Sequence, residues 1–309
     1  MSFSIQKNIR QAEKYLKLKE YKKAETLYLE IIVKFPKNHK ALNALKILKS
    51  VNKNVSAGAY KNRKLQELNN YYIKKEFTVV IQKANELEKL YPKEINLYII
   101  KGASNAALGK LSQAISCYEK ILKIDPNSTV AYFNIAVIYD TLNTPEKSVE
   151  NYKKAIENQS DNADAYNNMG SAYIKLGYIK EAADAYKNVI KIRPEHAYAY
   201  NNLGNVLMLQ QSHNKAIRSF KQAIFFDENY ADAYNNLGDA YLNINEIKNA
   251  HKSYEKALLI DPYHVKALHN VGFLHAENKE HEKAINAFQK ALDIEPNDEL
   301  AMAYKLFQQ

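Results

Sequence analysis

Asparagine recurs at Asn134, Asn168, Asn202, Asn236 and Asn270, each 34 residues from the last. A carboxamide donates through its nitrogen and accepts through its oxygen. A row of them can therefore hold the carbonyl and amide groups of an extended polypeptide whatever its side chains. The other use of such a row is contact between neighbouring copies of the repeating unit. Further candidate chemistry is sparse. His264, His269, His275 and His281 cluster late in the chain, but not at the i, i+4 spacing by which one helix offers two imidazoles to a metal. Carboxylates such as Glu181 and Asp184 fall on surface positions. There is no glycine-rich phosphate loop, cysteine pair or nucleophile elbow. Cys117 is the single cysteine, so no internal disulfide can form; it is expected to be an ordinary packed thiol in a reducing compartment. No catalytic residue, metal or cofactor is expected, and the chain reads as non-enzymatic.

The asparagines require a scaffold with the same period, and residues 163–196, ADAYNNMGSAYIKLGYIKEAADAYKNVIKIRPEH, supply its unit. Tyr166, Met169, Gly170 and Tyr173 recur at helical spacing on one face. The step Leu176-Gly177-Tyr178 interrupts the pattern. Ala182, Tyr186, Val189 and Ile190 then share the face of a second helix, which Pro194 closes. Such a hairpin cannot bury both apolar faces by itself and needs stacked neighbours. Stepping by 34 residues aligns Pro92, Pro126, Ser160, Pro194, Glu228, Pro262 and Pro296. Small residues fall in one column (Gly102, Ala136, Gly170, Gly204, Gly238, Gly272) and in a second (Ala114, Ser148, Ala182, Ala216, Ala250, Ala284). Tyr118, Tyr152, Tyr186, Phe220, Tyr254 and Phe288 form an aromatic third. Small columns let helices approach closely, and aromatic ones fill the space between.

These columns at this period resemble the tetratricopeptide repeat. The resemblance runs without a gap over seven copies at 61–298, the copy at 61–94 being the most divergent, and a further copy at 5–38 carries Ala12, Tyr15, Ala24, Tyr28, Ile31 and Pro36. It implies an all-α solenoid, a right-handed superhelix of antiparallel helix pairs whose first helices line a concave groove. Taken around each asparagine, the implied groove residues are Asp164, Ser171 and Lys175; Tyr198, Asn205 and Leu209; Asp232, Asp239 and Asn243; Lys266, Phe273 and Glu277. Tyr198 and Phe273 are its apolar anchors. The row of asparagines resembles the ladder of O-GlcNAc transferases, which holds substrate peptides by their main chain. A clamp for C-terminal carboxylates found in some relatives is matched at Asn205, Asn236 and Lys266 only, with Asn201 and Asn270 where it needs lysine and arginine. Half a clamp is expected to hold a carboxylate poorly.

The net charge of +10 is concentrated at one end: residues 1–64 carry +12 and the remainder −2. The basic end could dock an acidic partner, or be a lysine-rich solvated exterior. No nucleic-acid motif accompanies it, so nucleic acid is not an expected partner. The N-terminus lacks the apolar run of a secretory signal and no stretch reaches the length of a membrane span, so a cytoplasmic protein is expected. The organisation expected is a basic repeat plus an extra helix at 1–51, a polar linker at 52–60 containing NKNVSAGA, seven repeats at 61–298, and a capping or truncated helix at 299–309. The function expected is a protein-interaction scaffold binding an extended peptide or partner segment in the groove. The rival is the substrate-recruiting region of a longer enzyme, because the chain also resembles bacterial arrays that precede glycosyltransferase or sulfotransferase domains.

Overall fold

The computed structural model describes residues 5–299 and 302, and of residues 49–59 the backbone alone. Its described secondary structure is entirely helical. In order come α1 (Ile5–Lys17), α2 (Tyr21–Lys34), α3 (His39–Ile73), α4 (Phe77–Leu90), α5 (Ile95–Ala107), α6 (Leu111–Ile124), α7 (Thr129–Thr141) and α8 (Pro145–Asn158). There follow α9 (Ala163–Lys175), α10 (Ile179–Ile192), α11 (Ala197–Leu209), α12 (His213–Phe226), α13 (Ala231–Asn243), α14 (Ile247–Ile260), α15 (Val265–Glu277) and α16 (His281–Ile294). From Ile95 onward a 13-residue helix alternates with a 14-residue one, the first and second helices of each repeat.

Each hairpin turn hinges on one left-handed residue: Lys19, Lys75, Gly109, Asn143, Gly177, Gln211, Asn245 and Lys279, with φ between 52 and 75°. The backbone closes around it in the same way each time. At Gly177 its amide reaches the carbonyl of Ile174 at 3.0 Å, and the next amide, Tyr178, reaches Tyr173 at 2.9 Å. These two bonds satisfy carbonyls that the helix end leaves open and need a left-handed residue between them. Only two of the eight, Gly109 and Gly177, are glycine.

The chain divides into two compact units, 1–117 and 118–309. In the second, each second helix packs on its own first helix and on the first helix of the following repeat, while α7 touches α9 and α11 touches α13. The first helices thus line the inner side of this stack. The small column of one helix meets the aromatic column of the other. A Cβ added at Gly204 would lie 2.4 Å from Phe220, and at Gly238 2.4 Å from Tyr254. Ala182, Ala216, Ala250 and Ala284 are fully buried. Ser148 in their column is also buried, its hydroxyl 3.0 Å from the Ala136 carbonyl.

Among the described residues of the first unit, two core clusters stand out. Ile9, Ala12, Ala24, Tyr28, Ile31, Ala41, Leu45 and Leu48 form one. Leu68, Val80, Ala84, Leu87 and Leu97 form the other, with Leu65, Tyr71 and Tyr72 against it, as the register of the divergent copy requires. Residues 52–60, expected as a linker, lie inside α3, which runs unbroken for 35 residues. The segment contains no proline, and a single Gly58 raises the helix free energy by only about 1 kcal/mol. The division between units falls instead within α6. Of the helix expected at 299–309, all but Glu299 and Met302 lies outside the described residues.

Candidate functional site

The ladder asparagines come from the inner helices of the second unit. Asn168, Asn202, Asn236 and Asn270 sit on α9, α11, α13 and α15, half-buried, and each of the first three follows another asparagine. Of those preceding residues, Asn201 and Asn235 are buried. Asn202 Nδ2 lies 3.3 Å from Asn167 Oδ1, Asn236 Nδ2 2.9 Å from Asn201 Oδ1, and Asn270 Nδ2 3.0 Å from Asn235 Oδ1. One amide seam therefore crosses four consecutive repeats. Asn134 stands apart, donating to the Val130 carbonyl of its own helix at 2.7 Å.

The seam fixes the chemistry of the ladder. The nitrogens of Asn202, Asn236 and Asn270 already donate between repeats, and Asn270 Nδ2 donates a second bond to Asp239 Oδ1 at 2.9 Å, while Asn168 Oδ1 accepts from Asn167 Nδ2 at 3.3 Å. The Oδ1 atoms of Asn202, Asn236 and Asn270 accept no hydrogen bond from the described residues. What the row presents is chiefly a line of acceptors, matched to donors such as peptide N–H groups.

Around it, several expected groove residues already have partners. Asp164 holds Arg193 through two bonds, 2.8 and 3.2 Å. Asp232 lies 3.2 Å from His264 Nε2. Ser171 Oγ and the Tyr186 hydroxyl are 3.0 Å apart. Asp239 accepts the Tyr254 hydroxyl at 2.7 Å. Burial pushes the Asp239 carboxyl above the usual carboxylate range, against the bonds from Tyr254 and Asn270. Burial and that same carboxylate raise the Tyr254 phenol far above its ordinary value. At Tyr152, three copies earlier in the same column, burial and Asp140 do likewise, while bonds from Asn168 and Ser148 oppose them.

Other positions remain open. Tyr198 and Phe273 are exposed, Tyr198 leaning on Tyr230 at 4.8 Å between ring centres and Phe273 edge-on to Phe288 at 5.1 Å. Lys175 and Lys266 are exposed and have no ion pair among the described residues. Leu209, Asn243 and Glu277 are exposed on the last turns of their helices, and Asn205 is half-buried. Of the expected groove residues, Asp164, Ser171, Asp232 and Asp239 are thus already engaged, while Tyr198, Phe273, Lys175 and Lys266 are exposed.

Three of the four clustered histidines are engaged by other side chains or the backbone. His264 Nδ1 accepts the Ala267 amide at 3.1 Å and caps α15; His269 bonds Asp298; His275 Nδ1 lies 2.5 Å from Glu280. Among the described residues no group of three or more His, Cys, Asp or Glu could hold a metal ion. None of their helices is long and apolar enough to cross a membrane.

Sequence comparison matches the TPR repeat at 145–177, 170–211 and 204–245. The tetratricopeptide repeat pattern also matches at 231–264 and 265–298, and at 95–128. The chain belongs to the tetratricopeptide-repeat family. No curated protein sequence matches it. Among solved structures, MamA is 28% identical, with a TM-score of 0.51 over 56% of this chain and 94% of that one. PilF from Pseudomonas aeruginosa is 23% identical, with a TM-score of 0.58 over 69% and 96%. The C-terminal part of a TPR repeat-containing protein from Cytophaga hutchinsonii is 16% identical, with a TM-score of 0.62 over 78% and 98%. The last two show the shared fold. This is an all-α TPR solenoid, built as a scaffold for protein interaction.

The TPR face contains residues beyond the expected set. Asn167, Asn201 and Asn235 complete the seam, and their signal in the sequence is the Asn-Asn pair that repeats at the 34-residue interval. Arg193 and Tyr230 also lie on the face, but each sits in a column whose other members differ. No periodic signal marks them.

Proposed function

We propose that the inner face of α9, α11, α13 and α15 holds an extended segment of a partner protein. The ladder oxygens of Asn202, Asn236 and Asn270 accept its backbone amides. Tyr198 and Phe273 anchor two of its apolar side chains, and Lys175 and Lys266 pair with acidic ones. The supporting observation is the amide seam, which engages the nitrogens of Asn202, Asn236 and Asn270 between repeats and leaves their oxygens as a line of acceptors on a half-exposed face.

The test begins with peptides selected from a displayed random library on the full chain, competed by a soluble copy of each peptide. The double variant Asn202→Ala, Asn236→Ala removes two main-chain contacts, each of about 0.5 to 1.5 kcal/mol, so affinity is expected to fall severalfold to about a hundredfold. The loss should be similar for peptides of unrelated sequence, whereas Tyr198→Ala should change preference among them. Because these nitrogens also bridge repeats, the double variant will melt earlier, and affinity is therefore measured well below its melting temperature. An unchanged affinity of the folded protein, with the lower melting temperature alone, would show that the ladder is structural.

A further inference from the structure

The outer side of the second unit departs from its repeat pattern in one place. The position held by Lys123, Glu157, Lys191 and Asp293 in four copies is Phe225 on α12 and Leu259 on α14. Three positions after each of these helices ends, the place held by Asn127, Asp161, Glu195, Asn229 and Asn297 is Tyr263 after α14. Phe225, Leu259 and Tyr263 are 71, 72 and 74% exposed. Large apolar side chains with so little burial contribute almost nothing to the solenoid. Their concentration in two adjacent copies makes a patch rather than scattered exposure.

Phe225 and Leu259 border a cleft of about 760 Å³ whose walls include Ile224, Ile260 and Tyr234 of the intervening α13. Lys221 and Lys256 stand on the same helices, one turn before Phe225 and Leu259, and Glu228 is the single carboxylate among the lining residues. Neither lysine forms an ion pair among the described residues; Lys221 rests over the Tyr241 ring. An apolar floor between two basic edges complements a segment with an apolar stripe flanked by Asp or Glu.

We propose that this cleft is a second docking surface, separate from the inner face, for an acidic amphipathic segment of a partner protein. The apolar stripe of the segment covers Phe225 and Leu259, and its carboxylates reach Lys221 and Lys256. With the inner face, the TPR array would then bind two segments at once, on opposite sides of the same repeats.

The probe is a displayed library of amphipathic helical peptides, selected on the full chain and competed with any peptide found for the inner face. The decisive variant is Phe225→Lys with Leu259→Asp. It places in these columns the residue types of Lys191 and Asp293, so the fold is expected to be kept, and an unchanged melting curve checks this. Binders are expected that carry Asp or Glu beside apolar residues at i, i+3 and i+4. The double variant should weaken them by at least about tenfold. Lys221→Ala with Lys256→Ala should weaken them severalfold and flatten their salt dependence. Asn202→Ala with Asn236→Ala should leave them unchanged, which separates this cleft from the groove. The proposal is overturned if no such peptide is selected, or if binders lack acidic residues or survive the Phe225 and Leu259 changes. It is equally overturned if the chain itself dimerises through the patch, seen as concentration-dependent mass lost in the double variant. Binding of phosphatidylserine vesicles in place of peptides, lost in that variant, would assign the patch to a lipid surface instead.

Discussion

At the scale of single residues, the turns carry strain that the side chains do not relieve. Gln211 and Lys279 occupy the left-handed conformation that Gly109 and Gly177 take without penalty, and for a residue with a Cβ it costs roughly 1 to 2 kcal/mol. Gln211→Gly is expected to stabilise the chain by about 1 kcal/mol, less than the full strain because glycine also loosens the unfolded chain, and Gly177→Ala to destabilise it by a similar amount. Opposite shifts of the urea midpoint would confirm this; equal ones would mean that the turns are not conformationally limiting. Asn105 is a second such position. It stands where other copies place Tyr139, Tyr173, Leu207 and Tyr241, an irregularity visible in the sequence. The structure shows its nitrogen bonded to the Lys101 carbonyl at 2.9 Å and its oxygen buried without a partner. Asn105→Leu should raise stability by about 1 to 3 kcal/mol, the penalty of an unpaired buried acceptor, as read from chemical denaturation.

At the scale of helices, stability rests on the meeting of the small and aromatic columns. Gly204 has no room for even one carbon, because Phe220 would lie 2.4 Å from it. Gly204→Leu is expected to lower stability by at least about 1 to 3 kcal/mol through overpacking. Lys187→Ala removes only an exposed pair with Asp184 and should change stability by less than about 1 kcal/mol. Indistinguishable urea midpoints for the two variants would contradict the packing described here. The hairpins of the regular copies and this contact were legible in the sequence, because each depends on residues within one 34-residue unit; the limits of α3, expected to end before 52–60, were not. The groove side chains were legible only as a set. That Asp164 is held by Arg193, 29 residues on, depends on where the hairpin ends relative to its beginning.

At the scale of the whole molecule, the question is where the array begins to stand alone. The core around Tyr28 and Leu45 is separate from that around Leu68 and Val80. Cutting α3 after residue 60 leaves 61–73, the length of every later first helix. Residues 61–309 are therefore expected to fold, keeping their helical circular dichroism per residue and melting within a few degrees of the full chain. A truncated chain that lost its helical signal or melted far lower would make the first half of α3 an integral cap, since an unsupported terminal repeat exposes its apolar face.

The sequence by itself determined the period, the hairpins, the small and aromatic columns and the row of asparagines. All are set by helical periodicity and by contacts between nearest neighbours, which a solenoid repeats along its length. Only the tertiary structure decided which atom of each ladder amide is engaged, because that depends on how far one repeat is displaced against the next. It also decided that α3 runs through 52–60, since a polar segment without proline is compatible with either a helix or a linker until its neighbours are placed. The same stacking left Phe225 and Leu259 in water: an apolar residue in a helix reads as core until the packing of the surrounding repeats shows that nothing covers it.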